Sequence, residues 1–103
     1  MIMGLFDTIN KQKKTNKKAE WKQGLIPTIV ELKDDHMAII TATTEDIVFY
    51  QDIMFLECVV NVVNIRTNVK RYALRSGKLR GGSERADKLH SELLEKIAQS
   101  KNQ

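Results

Sequence analysis

A chain of 103 residues, 42% hydrophobic and 29% charged, has the make-up of one soluble globular domain with room for a single core. Its most apolar run, Ile53–Ile65, is thirteen residues long and is interrupted by Glu57, Asn61 and Asn64, whereas a membrane-spanning helix needs about 20. Cys58 is the one cysteine, so no internal disulfide forms, which fits a reducing compartment and an inert, buried thiol.

The net charge of +4 is unevenly spread. Residues 11–22 hold six lysines against Glu20 alone. Residues 23–65 hold seven acidic residues against Lys33 alone. Residues 66–88 hold eight basic residues against Glu84 and Asp87. Basic flanks around an acidic middle suit an anion-binding face or a contact between oppositely charged surfaces of neighbouring subunits.

In chain order, Ile2, Leu5, Phe6 and Ile9 recur at helical spacing, and Lys11, Lys13, Lys14, Lys17 and Lys18 follow. The expectation for residues 1–22 is a basic N-terminal segment, either a short amphipathic helix or disordered. An apolar wedge with a polybasic stretch can rest on an anionic membrane surface or dock on a partner. The positive charge follows the short apolar part instead of preceding it, unlike a secretory signal.

The domain is expected over 23–103, with strands from about 25 to 75 and a helix from about 84 to 99. A strand over 24–32 places Ile26, Val30 and Leu32 on one face, with Pro27 suited to an edge or a strand start. A turn at Lys33–His36 precedes a strand over 37–42. A second turn at Thr43–Glu45 leads to a strand over 46–50 in which Ile47 and Phe49 alternate with Val48 and Tyr50. Ile53–Ile65, rich in β-branched residues, reads as one bent strand or two strands meeting near Asn61, at the centre of the sheet, with Phe49 and Phe55 buried. Lys70–Arg75 is the last strand, Tyr72 and Leu74 on one side and Arg71 and Arg75 on the other. Ser83 stands where a helix N-cap belongs, and Ala86, Leu89, Leu93, Leu94 and Ile97 form the apolar stripe of the final helix. The fold class expected is α+β, mainly β: a curved antiparallel sheet capped by one C-terminal helix.

No nucleophile–base arrangement, paired histidines or Cys/His cluster occurs, so no catalytic residue, metal site, cofactor or small-molecule substrate is assigned, and the chain is read as a non-enzyme. Lys78, Arg80, Gly81, Gly82 and Ser83 make a basic glycine loop feeding a helix N-terminus, a candidate anion site. With only six aromatic residues and an acidic middle, nucleic-acid binding is disfavoured.

The segments VELKDDHMAII, TTEDIVFYQDIMFLE, VVNIRTNVKRYAL and ERADKLHSELLEKI together resemble bacterial pleckstrin-homology-like domains. Val48, Tyr50, Asp52, Ile53, Ile65, Thr67, Tyr72 and Leu74 carry the likeness, which spans residues 25–98. It implies a partly open barrel closed at one end by the helix, and a binding or assembly module without catalytic residues. Lipid-binding members of the superfamily carry basic residues between the first two strands, where this chain has Lys33-Asp34-Asp35. The resulting expectation is a cytoplasmic interaction module that self-associates or binds a protein partner. The alternatives are peripheral attachment at the inner face of the membrane through the N-terminal segment, and anion or nucleic-acid binding through residues 77–83.

Overall fold

The computed structural model describes residues 18–77 and 81–101. Seven strands precede one helix: β1 (Trp21–Gln23), β2 (Ile26–Leu32), β3 (His36–Ile40), β4 (Glu45–Phe49), β5 (Phe55–Val59), β6 (Val62–Arg66) and β7 (Arg71–Ser76), then the C-terminal helix Gly82–Lys101. A 3-10 turn, Tyr50–Asp52, links β4 to β5. All neighbouring strands are antiparallel, in the order β4-β3-β2-β1-β7-β6-β5. Two meanders, β1–β4 and β5–β7, are therefore joined by the pairing of β1 with β7, and the sheet curls without closing. The result is a partly open barrel capped by the helix.

Local chemistry sets the turns. Gly24, at φ +62°, allows the two-residue turn between β1 and β2. Two other turns use one device twice. The Thr41 hydroxyl accepts from the backbone N–H of Thr43 and Thr44, and the Thr67 hydroxyl accepts from Val69 and Lys70. In each case the threonine N–H also donates to the carbonyl three residues on, at 2.9 Å. A short hydroxyl side chain thus satisfies amides that a tight turn leaves unpaired.

The core follows from alternation. Met37 and Ile39 on β3, Val48 on β4, Val63 and Ile65 on β6, and Tyr72 and Leu74 on β7 all point inward, where Ala86, Leu89 and Leu93 of the helix meet them. Burying each large side chain is worth about 1.5–3 kcal/mol. Tyr50 is wholly buried, and its hydroxyl donates to the Lys33 carbonyl at 2.7 Å, so the 3-10 turn is pinned to the β2–β3 connection. Arg85 ties the helix to the start of the sheet: it reaches the Glu20 carboxylate at 3.1 Å and the Glu20 carbonyl at 3.2 Å.

Several expectations need correction. Ile53–Ile65 is not the sheet centre. It folds back at Val60-Asn61 into the β5–β6 hairpin, and β5 is an edge strand. The middle of the sheet is β1, which begins at Trp21, before the expected start of the domain, and Trp21 is part of the core. Phe49 and Phe55 are exposed, because their inward neighbours Val48 and Leu56 take the core-facing positions. The helix starts at Gly82, and the Arg85 N–H donates to the Gly81 carbonyl, so Ser83 lies inside the helix and not at its cap. Leu94 of the expected stripe faces solvent, while Ala86, Leu89 and Leu93 are buried.

Candidate interaction surface

The sequence nominated two groups of residues. Ile2, Leu5, Phe6, Ile9, Lys11, Lys13, Lys14 and Lys17 lie outside the described residues, as do Lys78 and Arg80. Lys18 is exposed just ahead of β1. Of the glycine loop, Gly81 sits at φ +73°, a conformation open to glycine at little cost. Gly82 is buried, close enough that a Cβ there would stand 3.5 Å from Asn61 Cβ and from Ser76 Oγ. The start of the helix is thus packed against the β5–β6 turn and the end of β7.

A surface that the sequence did not single out lies on the outer face of β5, β6 and β7. Cross-strand register lines up Phe55, Arg66 and Arg71 in one row, and Glu57, Asn64 and Ala73 in the next. Val59, Val62, Arg75 and Lys22 form a third. Four cations, Lys22, Arg66, Arg71 and Arg75, therefore share this face with Glu57. The Arg66 guanidinium lies over the Phe55 ring at 5.5 Å, a cation–π contact. Arg66 and Arg71 are directly opposite one another, an arrangement of like charges that costs stability in a sheet. A shallow concavity of about 360 Å³ runs over these rows, with Phe55, Glu57, Asn64, Arg66, Arg71 and Ala73 in its lining.

Among the described residues, β5 is the unpaired margin of this surface. Met54, Phe55, Val59 and Val60 are 65%, 43%, 47% and 73% exposed. Sheet edges in soluble proteins are usually blunted by charge or proline, and here Glu57 is the one charged residue of the strand. The hairpin tip adds strain: Val60 has φ 55°, a left-handed conformation that disfavours β-branched residues.

Several titratable groups are tied into the scaffold. Cys58 is half-buried on the inner side of β5, and its thiol donates to Asp87 at 3.4 Å. Burial first, then the Asp87 hydrogen bond and charge, push the thiol pKa up, the opposite of what a nucleophile needs. His36 is paired with Asp35 at 2.7 Å and meets the Phe49 ring edge-on. Asp46 of β4 accepts from Lys70 Nζ at 2.7 Å and from the Tyr72 hydroxyl at 3.0 Å. The Lys70 hydrogen bond holds the Asp46 carboxyl below its ordinary value, while burial and the Asp46 bond push the Tyr72 phenol up to about 12. Among the described residues no His, Cys, Asp and Glu side chains group to hold a metal ion, and no helix is long and apolar enough to cross a membrane.

The alternation inside IMFLECVVNVVNI was the signal that could have found this surface. Reading Leu56, Cys58, Val63 and Ile65 as inward leaves Phe55, Glu57, Val59 and Arg66 outward. No protein-family model matches the chain, and no curated protein matches it.

Proposed function

We propose that the chain is a non-catalytic interaction module that associates with itself through the free edge of β5. The observation that carries this reading is the exposure of Met54, Phe55, Val59 and Val60 along an edge strand with one charge on it. An edge offers a row of backbone donors and acceptors to a second strand, and its apolar side chains are removed from water when that strand arrives. Two copies meeting about a twofold axis would present the same patch to each other, doubling the apolar area concealed. The order of strands and helix is also what the resemblance to pleckstrin-homology-like domains implies, and assembly in the cytoplasm is the role expected of such a module. Light scattering across a wide concentration range tests this. A mass that rises toward twice that of the chain is the expected result, and a constant monomer at high concentration overturns it.

A second reading draws on Lys22, Arg66, Arg71 and Arg75, which lie in two cross-strand rows of the same face and favour a polyanion there over the glycine loop. Binding of single-stranded nucleic acid that falls steeply with salt would support it.

A further inference from the structure

The register of β6 and β7 sets two arginines side by side with nothing to neutralise them. The Thr67 N–H donates to the Lys70 carbonyl, and facing residues of an antiparallel ladder alternate between hydrogen-bonded and open pairs. Arg66 and Arg71 are therefore an open pair, the kind whose Cα atoms stand only about 4.5 Å apart. Both are exposed, and among the described residues neither guanidinium has a carboxylate within ion-pair distance. Arg66 lies on the Phe55 ring instead. Four residues further along β7, roughly 13 Å at about 3.3 Å per residue, Arg75 donates to the Gly24 carbonyl at 3.3 Å and faces Lys22. The floor between the two cationic rows is low, because Ala73 is small. Beside it the Asn64 side-chain amide is half-buried and makes no hydrogen bond among the described residues. Glu57 closes the concavity on the β5 side.

We propose that this face takes single-stranded nucleic acid, its phosphates along β7 from Arg71 to Arg75 and a base on the stack of Arg66 and Phe55. The proposal rests on the polyanion reading above and names the ligand. Three features select a nucleotide chain. A guanidinium plane laid on an aromatic ring is a platform for the π face of a base, and a polyanion without bases has no use for it. Asn64 and Glu57, an amide and a carboxylate between the cationic rows, are the kinds of group that meet the polar edges of bases. Glu57 also repels phosphate, which keeps the backbone of the strand over β7 and turns its bases toward β5. A sheet face, with no helix projecting from it to enter a groove, suits one strand lying across it better than a duplex.

Fluorescence anisotropy on the full chain, with labelled single strands of about eight nucleotides, one RNA and one DNA, tests the proposal. Binding of at least one strand, falling steeply with salt, is the expected result. Arg71→Ala is expected to weaken it about tenfold and to lower the salt slope by about one. Phe55→Leu, which keeps an apolar side chain at that position, is expected to weaken it about tenfold with the salt slope unchanged. Glu57→Gln is expected to tighten it severalfold. Val59→Ser, on the same edge strand but away from the stack, is the control and should bind as the unmodified chain does. Inorganic polyphosphate is the second probe. If it matches the strands phosphate for phosphate and Phe55→Leu changes nothing, the nucleic-acid assignment is overturned while the polyanion reading stands. Equal affinity for a duplex of the same length overturns the assignment as well. If neither probe binds, both fall.

Discussion

The two edges of the sheet are treated in opposite ways. β4 opens with Glu45 and Asp46, and Asp46 is clasped by Lys70 and Tyr72, so this edge is charged and tied across the barrel to β7. β5 carries Glu57 between exposed Phe55 and Val59, and the residue that follows it, Val60, is exposed and in the left-handed region. An edge strand is a standing invitation to pair, and charge is the usual way of declining it. β4 declines by charge and β5 does not. The contrast says more about where a second strand could pair than net charge does, because +4 is a sum over regions of opposite sign.

The largest effect is expected where the open edge is made to resemble the charged one. Phe55→Lys combined with Val59→Lys should weaken self-association by about a hundredfold, since like charges forced together across a contact cost several kcal/mol. Sedimentation of the double variant beside Ile47→Lys, a charge added to β4, measures the asymmetry: the β4 change should leave the association constant where it was.

Next in size is the clasp on β4. Tyr72→Phe removes one hydrogen bond to a carboxylate from a largely buried phenol and should cost about 1 kcal/mol in urea unfolding. Its pH signature has a definite sign. The Asp46 pKa is lower in the folded chain than the ordinary 3.8, so its contribution is complete above that value and is lost as pH falls below it toward the folded value. Tyr72 runs the other way: raised from 10.0 to about 12, its contribution is complete below pH 10 and is lost as pH rises toward 12. Asp46→Asn should flatten the acid side of the stability curve, as read by thermal unfolding at stepped pH.

The smallest effect belongs to the tip of β5. Val60→Gly relieves the left-handed strain and should raise stability by at most about 1 kcal/mol, net of the added freedom of glycine in the unfolded chain. If Val60 also contributes apolar area to a contact, the same change weakens association while it stabilises the monomer. Those two readouts moving in opposite directions would sharpen the contrast between the edges.

Much of the fold was legible because periodicity is local. Tyr72 and Leu74 could be sorted from Arg71 and Arg75 by their alternation alone, whereas the alternation of Val48 with Ile47 and Phe49 did not say which side faces the core, and Phe49 was placed on the wrong one. The helical stripe of Ala86, Leu89 and Leu93 was legible for the same reason, although Leu94 at its margin turned to solvent. Strand order was not legible. The position of β5 at the edge follows from the pairing of β1 with β7, which joins residues more than fifty positions apart, and Trp21–Gln23 is too short to announce itself as a strand. Ile53–Ile65 was therefore read as central because it is apolar, when its β5 half is apolar and exposed. The basic rows on β6 and β7 escaped for a related reason: Arg66, Arg71 and Arg75 were visible as charges, but only the register of the hairpins puts them on one face with Phe55.

Amide hydrogen exchange of the full chain at low and high protein concentration tests the assignment of the β5 edge most directly, because it reads the two edges in one experiment. Amides of Phe55–Val59 are expected to gain protection as concentration rises, while those of Glu45–Phe49 stay unchanged. Unchanged exchange along β5 at every concentration, or protection gained on β4 instead, would contradict it.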